Sequence, residues 1–574
     1  MPYEVIANAI GRLALDGRVE SFTPLRFEVW SGIIRVVGIG VVFICAGTLF
    51  FLQKVGAVFN VGRDWIGGFW KQVRADAKVF WREITQGSWN RSEIFVILLV
   101  VLMAVVMRMA NLFIPMEHDE AYTYNAFASY PLWHVISDYH LPNNHVLLTI
   151  FISILNSLFG NHLWLFRFPS LTAGVCMVPA VYWLARRLYD TETAVLSAIF
   201  VAFFPILVKY SVLARGYVFV CLFTLLIFWV GDYVRTNRNY FGWLMLVVLS
   251  ALGFYTVPIM LFPFGALYVW LFLSCLSGDT SSYRSTWDFL RFYLTTGFAA
   301  AFLTMILYLP ILLNPSNRLF ENSFIAPVGW DEYPAALWFR LQNTWGDWMN
   351  PIPTWLIILG IAGVLFSLVF HRKINKHKVP LQVAFLIWII GFVVLRRPDM
   401  ETRMWTFLAA PLLIWSAGGL VGSLKLAFKR FGWNWQVGKI FSGMVLAVSL
   451  VYTVFIVPTI PTRWQTKGSV ENTVIYLKDH LQEGDLVTTS AVFVPQLRYY
   501  FELYDIPLTY LRQPEQFERA FVLVRSVNGS AAAGDTLEVA APKNGQGLPA
   551  IDTATARVLL QYEDLALYEC YPSP

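Results

Sequence analysis

Long apolar stretches alternate with short polar connectors along most of the chain, and the connectors hold most of its charge. The stretches run to about 17–23 residues, the length a helix needs to cross ~30 Å of hydrocarbon at ~1.5 Å per residue. Backbone polar groups in lipid must be satisfied within their own segment, so these stretches predict helices. The regular apolar–polar alternation of a membrane barrel is absent. Predicted spans lie near 31–53, 94–114, 168–187, 192–210, 215–234, 240–256, 258–277, 291–313, 353–370, 380–396, 404–424 and 438–459. After Pro458 and Pro461 the pattern changes. Charges rise, and short apolar runs such as FVLVRS and RVLLQY alternate with helical patterns such as VENTVIYLKDHL. That tail fits a small α/β domain. The predicted fold class is a polytopic α-helical membrane protein of about a dozen spans with a small C-terminal α/β soluble domain. The predicted divisions are 1–93 (a tail, an extra membrane helix and a basic segment), a membrane core at 94–460, and the α/β domain at 461–574.

Composition sharpens this picture. The 574 residues are 57% hydrophobic and 14% charged, against roughly 25% charged in a soluble domain. A large soluble protein with buried helices is therefore disfavoured. The net charge of +6 sits in the membrane-flanking connectors and reads as an orientation signal, with no nucleic-acid partner expected. Cys45, Cys176, Cys221 and Cys275 lie in apolar segments and only Cys570 in the polar tail, so no disulfide framework or zinc pattern is expected. The opening MPYEVIANAIGRLALDGRVE lacks the basic-then-apolar plan of a cleavable signal, so insertion is expected to use the first span.

Basic residues collect on the cytoplasmic side of membrane helices. Segment 54–93, the turns at Arg186–Arg187 and Arg235–Arg238, the run His371–Lys378 and Lys425–Arg430 therefore read as cytoplasmic. They agree with one another only if the apolar run 146–160 does not cross. That run carries Asn156 and ends in Gly160-Asn161-His162, and a helix along the outer surface satisfies the constraint. The outer face then receives 115–167, the Lys209–Arg215 turn, the Trp-rich loop 314–352, the Arg396–Arg403 segment and the tail.

Candidate chemistry concentrates on that face. Asp119 and Glu120 follow the 94–114 span in EHDEAYTY, beside Tyr122, Tyr124, Phe127, Tyr130 and Trp133. Position alone favours solvated loop carboxylates; the aromatic crowd and the polar groups His140, Asn143, Asn144 and His145 shift the balance. Arg215 opens a span in KYSVLARGYVF, where a lone Arg is often an interfacial anchor. Arg396, Arg397 and Arg403 on the outer face break the positive-inside trend. Guanidinium groups there suit a phosphate hanging from a membrane lipid, and headgroup anchoring or pairing with Asp399 or Glu401 is the plainer reading. Trp330, Trp338, Trp345 and Trp348 are read as membrane-belt residues before sugar platforms.

Several of these pieces together resemble the lipid-phosphosugar-dependent glycosyltransferases of the GT-C fold, in the bacterial group related to protein O-mannosyltransferases and aminoarabinose transferases. They are the Asp119–Glu120 pair after the first core helix, NNHVLL at 143–148, FRFPSLTAGVCMVPAVYWLARRLYD at 166–190, KYSVLARGY at 209–217, and the Arg403 that precedes WTFLAAP. The resemblance covers roughly 94–460, with RFPSLTAG before a basic turn as its most specific piece. Many relatives have His-Pro-Pro-Leu where this chain has Asn144-His145-Val146-Leu147, which leaves the role of His145 open. The extra helix at 31–53 also departs from the family plan.

The resemblance implies transfer of a sugar from a polyprenyl-phosphate carrier to a lipid, glycan or protein acceptor on the outer face of a cell membrane. A lipid phosphate leaves without being protonated, unlike a glycosidase leaving oxygen. One carboxylate base and a cationic grip then suffice for inverting single displacement. Asp119 is the expected base, with Glu120 as its neighbour, shaping the local hydrogen bonds or assisting. Arg215 and Arg403 are expected on the donor phosphate, with His145 touching phosphate or acceptor and Tyr122 and Asn144 binding substrate. Glu117, His118, Asp119, His140 and His145 gather in one loop but lack the i,i+4 spacing of a zinc helix, and the resembled family is generally metal-independent, so neither metal nor cofactor is expected. A transporter or flippase of a lipid-linked precursor is the rival reading. It would place charges along its spans and repeat its halves, and neither pattern is seen. A scaffold leaves the outer-face cluster unexplained.

Overall fold

The structure is a computed structural model. It describes residues 67–83, 90–431 apart from 281, 316, 320–326 and 351, then 436–455, 468–489, 493–511, 517–527, 530–531 and 551–572, with positions 3, 4, 24 and 31. All but the first residue of the expected 31–53 span lies outside the described residues.

Each span expected from 94 onward is helical. Among the described residues seven helices are long and apolar enough to cross a membrane, or up to nine if each bent pair is one span. That is fewer than the hydropathy pattern predicts, because some apolar runs form short helices. At ~1.5 Å per residue the 17-residue helix Tyr240–Thr256 covers about 25 Å, and the 14-residue helix Val146–Phe159 about 21 Å, short of the hydrocarbon thickness. The second of these is the run that the charge pattern kept out of the list of spans.

Tyr217–Thr236 is the central helix, with 83% of its apolar window buried. Arg91–Ala110 and Val437–Phe455 bury 22% and 17%, so most of their side chains face outward, as lipid-facing helices do. Leu163–Leu188 packs against the central helix and continues into a broken span, Thr191–Phe203 and Pro205–Ser211, bent by 60°. The break follows from Pro205. Its nitrogen carries no hydrogen and its ring crowds the carbonyl of Val201. Arg108, fully buried in the Arg91–Ala110 helix, takes up the loosened carbonyls. Its Nη1 donates to Ala202 O at 3.0 Å and its Nη2 to Val201 O at 3.4 Å. A charge inside the membrane core is thus spent on repairing backbone.

The tail is the expected α/β domain. Its five-stranded sheet has the order β1-β2-β5-β4, with β1 Asp485–Thr489, β2 Arg519–Val527, β4 Ile551–Gln561 and β5 Leu565–Pro572; β3, Ser530–Ala531, pairs with β2 off that path. β1 lies parallel to β2, and the other pairings are antiparallel. Alternation along β2 sends Phe521 and Leu523 into the main core and Ala520, Val522 and Val524 into a smaller one with Cys570. Val474 and Leu477 of helix Ser469–His480 and Leu497 and Phe501 of helix Val494–Leu503 join the main core. The domain is docked onto the first outer loop. Asn125 Nδ2 donates to Pro495 O at 2.7 Å, Met116 N donates to Tyr500 Oη at 3.2 Å, and Gln496 Nε2 donates to Met116 O at 2.9 Å.

Helices Thr354–Val369 and Ala409–Arg430 meet through glycine. A Cβ built at Gly419 would stand 1.8 Å from the carbonyl oxygen of Gly363, and one at Gly363 would stand 2.5 Å from that of Ser416. Small residues permit such backbone approach between membrane helices. Gly419→Ala must push the two backbones apart, and a loss of about 1–3 kcal/mol is expected, as for overpacking in general. Thermal unfolding of the purified variant in detergent reads it.

Candidate active site

The first outer loop folds into a six-residue helix, His118–Thr123, followed by a π-helical turn, Tyr124–Ala128. A reciprocal capping box starts it: the Glu117 side chain accepts from the N3 backbone, and Glu117 N donates to Glu120 Oε2 at 3.1 Å. Asp119 and Glu120 are neighbours in sequence but project in different directions, because successive helical positions differ by about 100°.

Glu120 points inward and is fully buried, as is Arg167. Arg167 holds it with two parallel bonds, Nε to Oε1 at 3.0 Å and Nη2 to Oε2 at 2.6 Å. Ala214 N adds a bond to Oε1 at 2.6 Å. The same guanidinium donates to Leu112 O and Ile114 O at 2.7 Å each and to Pro115 O at 3.2 Å. One buried ion pair therefore ties together the end of the first described span, the 118–123 helix and the 212–216 turn. Its groups are satisfied on both sides, the condition under which a buried pair is tolerated.

Asp119 points the other way, into a partly open site. Its Oδ2 accepts from Arg403 Nη1 at 2.5 Å and lies 3.4 Å from Arg215 Nη2. Arg403 also pairs with Glu401 at 2.7 Å. Arg215 is almost fully buried, and its Nη1 donates to Asn143 Oδ1 and, at 3.3 Å, to Thr123 Oγ1. Asn143 Nδ2 in turn donates to Asp119 O at 3.0 Å and Thr123 Oγ1 at 3.1 Å. Three residues named from sequence, separated by almost three hundred positions, thus meet around one carboxylate oxygen. Asn143 and Thr123 complete the cluster.

The other expected site residues lie elsewhere. Asn144 is turned into the fold, where its Nδ2 donates to Val135 O at 2.9 Å and Asp138 O at 2.8 Å. Its neighbour Asn143 is the one that meets Arg215. His145 is buried, and its Nδ1 accepts from Gly216 N at 2.6 Å. Burial, with Arg215 and Arg403 nearby, holds this imidazole well below its usual pKa, so it is a neutral acceptor that fixes the turn next to Arg215. Tyr122 faces a separate cavity of about 630 Å3, bonded at 2.9 Å to His140 Nε2 and bordered by Tyr130, His134 and Arg498. Asp399 is taken by Arg340 in a two-pronged pair at 2.6 Å each, so it does not hold Arg403. Trp330, Trp338 and Trp345 are exposed, and Trp348 is buried. Among the described residues no three His, Cys, Asp or Glu side chains are grouped to hold a metal. Arg167 stood in FRFPS without a role assigned; its signal was a cation just inside an apolar helix, which needs an anion or carbonyls as partners.

The family pattern described as dolichyl-phosphate-mannose-protein mannosyltransferase matches residues 144–308, which include His145, Arg167 and Arg215. ArnT from Cupriavidus metallidurans in the apo state superposes with a TM-score of 0.51 at 13% identity, over 84% of this chain and 98% of that one. This chain has the GT-C fold. ArnT bound to undecaprenyl phosphate gives a TM-score of 0.50 at 12% identity, covering 83% of this chain and 98% of that one. The oligosaccharyltransferase AglB of Archaeoglobus fulgidus, in complex with an inhibitory peptide and a dolichol-phosphate, gives 0.43 at 14% identity, over 76% and 70% of the two chains. No curated protein matches the sequence.

The two acidic neighbours should separate by experiment. Glu120→Ala leaves Arg167 buried without its anion and is expected to lower stability by about 3–5 kcal/mol. Asp119→Asn, at a partly exposed carboxylate, is expected to unfold within about 1 kcal/mol of the parent chain. Parallel unfolding curves in detergent compare them.

Proposed function

We propose that this chain transfers a sugar from a polyprenyl-phosphate carrier to an acceptor on the outer face of a cell membrane, by inverting single displacement with Asp119 as base. The observation that carries this reading is the Asp119 carboxylate set between Arg403 and Arg215 in a site open enough to admit substrate. A donor phosphate would compete with Asp119 for the same two guanidinium groups, being the stronger bidentate acceptor. Its arrival would draw Arg403 and Arg215 onto the leaving group and release Asp119 Oδ2 toward the acceptor hydroxyl. Coupled in this way, the base becomes available only when the donor is present.

The two cations stabilise the charge that collects on the phosphate as the glycosidic bond breaks. The proton of the acceptor passes to Asp119, and the spent carrier leaves as a lipid phosphate. Asn143 orients Arg215, and Glu120 with Arg167 positions the helix that carries Asp119. The undecaprenyl phosphate in the second ArnT structure and the dolichyl phosphate in the family description support a lipid-phosphate donor. The basic connectors support an extracytoplasmic site, since they cluster at the ends of the helices remote from Asp119. The acceptor is a lipid, a glycan or a protein, and the cavity beside Tyr122 adjoins the place where it would approach.

Transfer from polyprenyl-phosphate sugars in detergent tests the reading. Asp119→Asn is expected to lose about 10²–10⁴-fold in rate while still binding the donor, the usual range for removal of a general base. Full transfer by that variant would overturn the assignment. Arg403→Gln is expected to raise the KM for donor and lower kcat together, because it serves both the bound phosphate and the transition state.

A further inference from the structure

A second cavity, of about 410 Å3, opens at the other end of the membrane core. Arg167 and Arg186 lie near opposite ends of helix Leu163–Leu188, about 29 Å apart at ~1.5 Å rise per residue. That separation matches the hydrocarbon thickness. The cavity therefore stands at the far membrane interface from Asp119 and takes no part in the chemistry there.

Its walls combine two kinds of side chain. Trp183 and Trp229 stack at 5.8 Å with an interplanar angle of 28°, and indoles at this level are headgroup-seeking groups. Around them stand Arg186, Arg187 and Lys376, with the carboxylates Glu83 and Asp232. The carboxylates are largely committed. Asp232 Oδ2 holds Arg187 at 2.5 Å, while its Oδ1 holds Arg235 at 3.0 Å and faces His377 Nε2 at 3.1 Å. Glu83 holds Arg187 at 3.0 Å. Lys376 is left over. Its ammonium donates to Arg186 O at 2.7 Å and pairs with no carboxylate among the described residues. Burial lowers the pKa of Lys376, and it pushes His377 down to about 4, so the histidine adds no positive charge. Arg186 Nη2 pairs with Glu93 Oε2, outside the lining, at 3.1 Å, so the spare cation at the mouth is Lys376, whose ammonium has donors left over.

We propose that this cavity is a second phosphate site, which takes the phosphate of an anionic membrane lipid headgroup on Lys376 and Arg186 with the glycerol backbone against the tryptophan pair. Basic pockets between membrane helices bind lipid headgroups in this way. A bound lipid would tie helix Leu163–Leu188 to the 375–378 connector, whose Lys376 N already donates to Leu188 O at 3.0 Å.

Native mass spectrometry of the full chain, released from vesicles of phosphatidylglycerol and phosphatidylethanolamine, tests this. Wild type is expected to retain one phosphatidylglycerol, and Lys376→Gln to bind it about tenfold more weakly. Lys376 makes no ion pair among the described residues, so its replacement is expected to leave the fold and sugar transfer at Asp119 intact; Arg186→Gln serves as a second variant. Displacement of the lipid by millimolar inorganic phosphate would assign the site to soluble phosphate, with the same side chains. The proposal is overturned if wild type retains neither lipid nor phosphate, if Lys376→Gln and Arg186→Gln retain as much as wild type, or if Arg403→Gln alone abolishes retention, which would put the lipid in the donor site.

Discussion

The buried pair of Glu120 and Arg167 is the constraint on which the active face depends. A carboxylate and a guanidinium inside a membrane protein are costly unless every lone pair and hydrogen finds a partner. Here they find partners by drawing in the carbonyls of Leu112, Ile114 and Pro115 and the amide of Ala214. Three irregular pieces of backbone are thereby held against one helix. Asp119 is fixed as a consequence, because it shares a short helix with Glu120 and has no other place to point. Arg215 is fixed too, one residue beyond the amide that Glu120 accepts.

The break at Pro205 serves the same end. The bend frees carbonyls that lipid cannot satisfy, and Arg108 satisfies them from a neighbouring helix. Arg108 and Arg167 thus each satisfy backbone carbonyls at an irregular stretch of the chain. The contrast with Arg215 and Arg403 is instructive: both reach Asp119 Oδ2, at 3.4 and 2.5 Å, a partner that a phosphate can replace. Docking of the C-terminal domain through Asn125 and Met116 reaches the same loop from outside, so the helix bearing Asp119 is held from both of its ends.

How far the sequence could be read differs from residue to residue. The helices, the α/β tail and the exclusion of Val146–Phe159 from the spans all followed from local pattern, because apolar run length and charge placement are properties of a segment. Asp119, Arg215 and Arg403 were legible as unusual charges at helix mouths, and the structure brings them together. Glu120 was read as the neighbour of Asp119, shaping hydrogen bonds or assisting; consecutive helical positions face apart, so it meets Arg167 instead of the open site. Asn144 and Asn143 exchanged places for a similar reason: a one-residue shift in a turn decides which amide faces the cluster. His145 kept its place beside Arg215 but spends its free nitrogen on backbone.

By itself, then, the sequence determined that the chain lives in a membrane, where its helices run, and that its spare charges gather between the apolar runs. These depend on hydrophobicity over a window of residues, which the bilayer reads directly. Only the tertiary structure decided which charges are spent on the fold and which remain for chemistry. Arg108, Arg167, Arg215 and Arg403 look alike in sequence, each a cation near an apolar stretch. What separates them is whether the partners that satisfy the guanidinium are fixed backbone, a buried carboxylate, or a carboxylate in an open site, and that is settled by contacts between residues far apart in the chain.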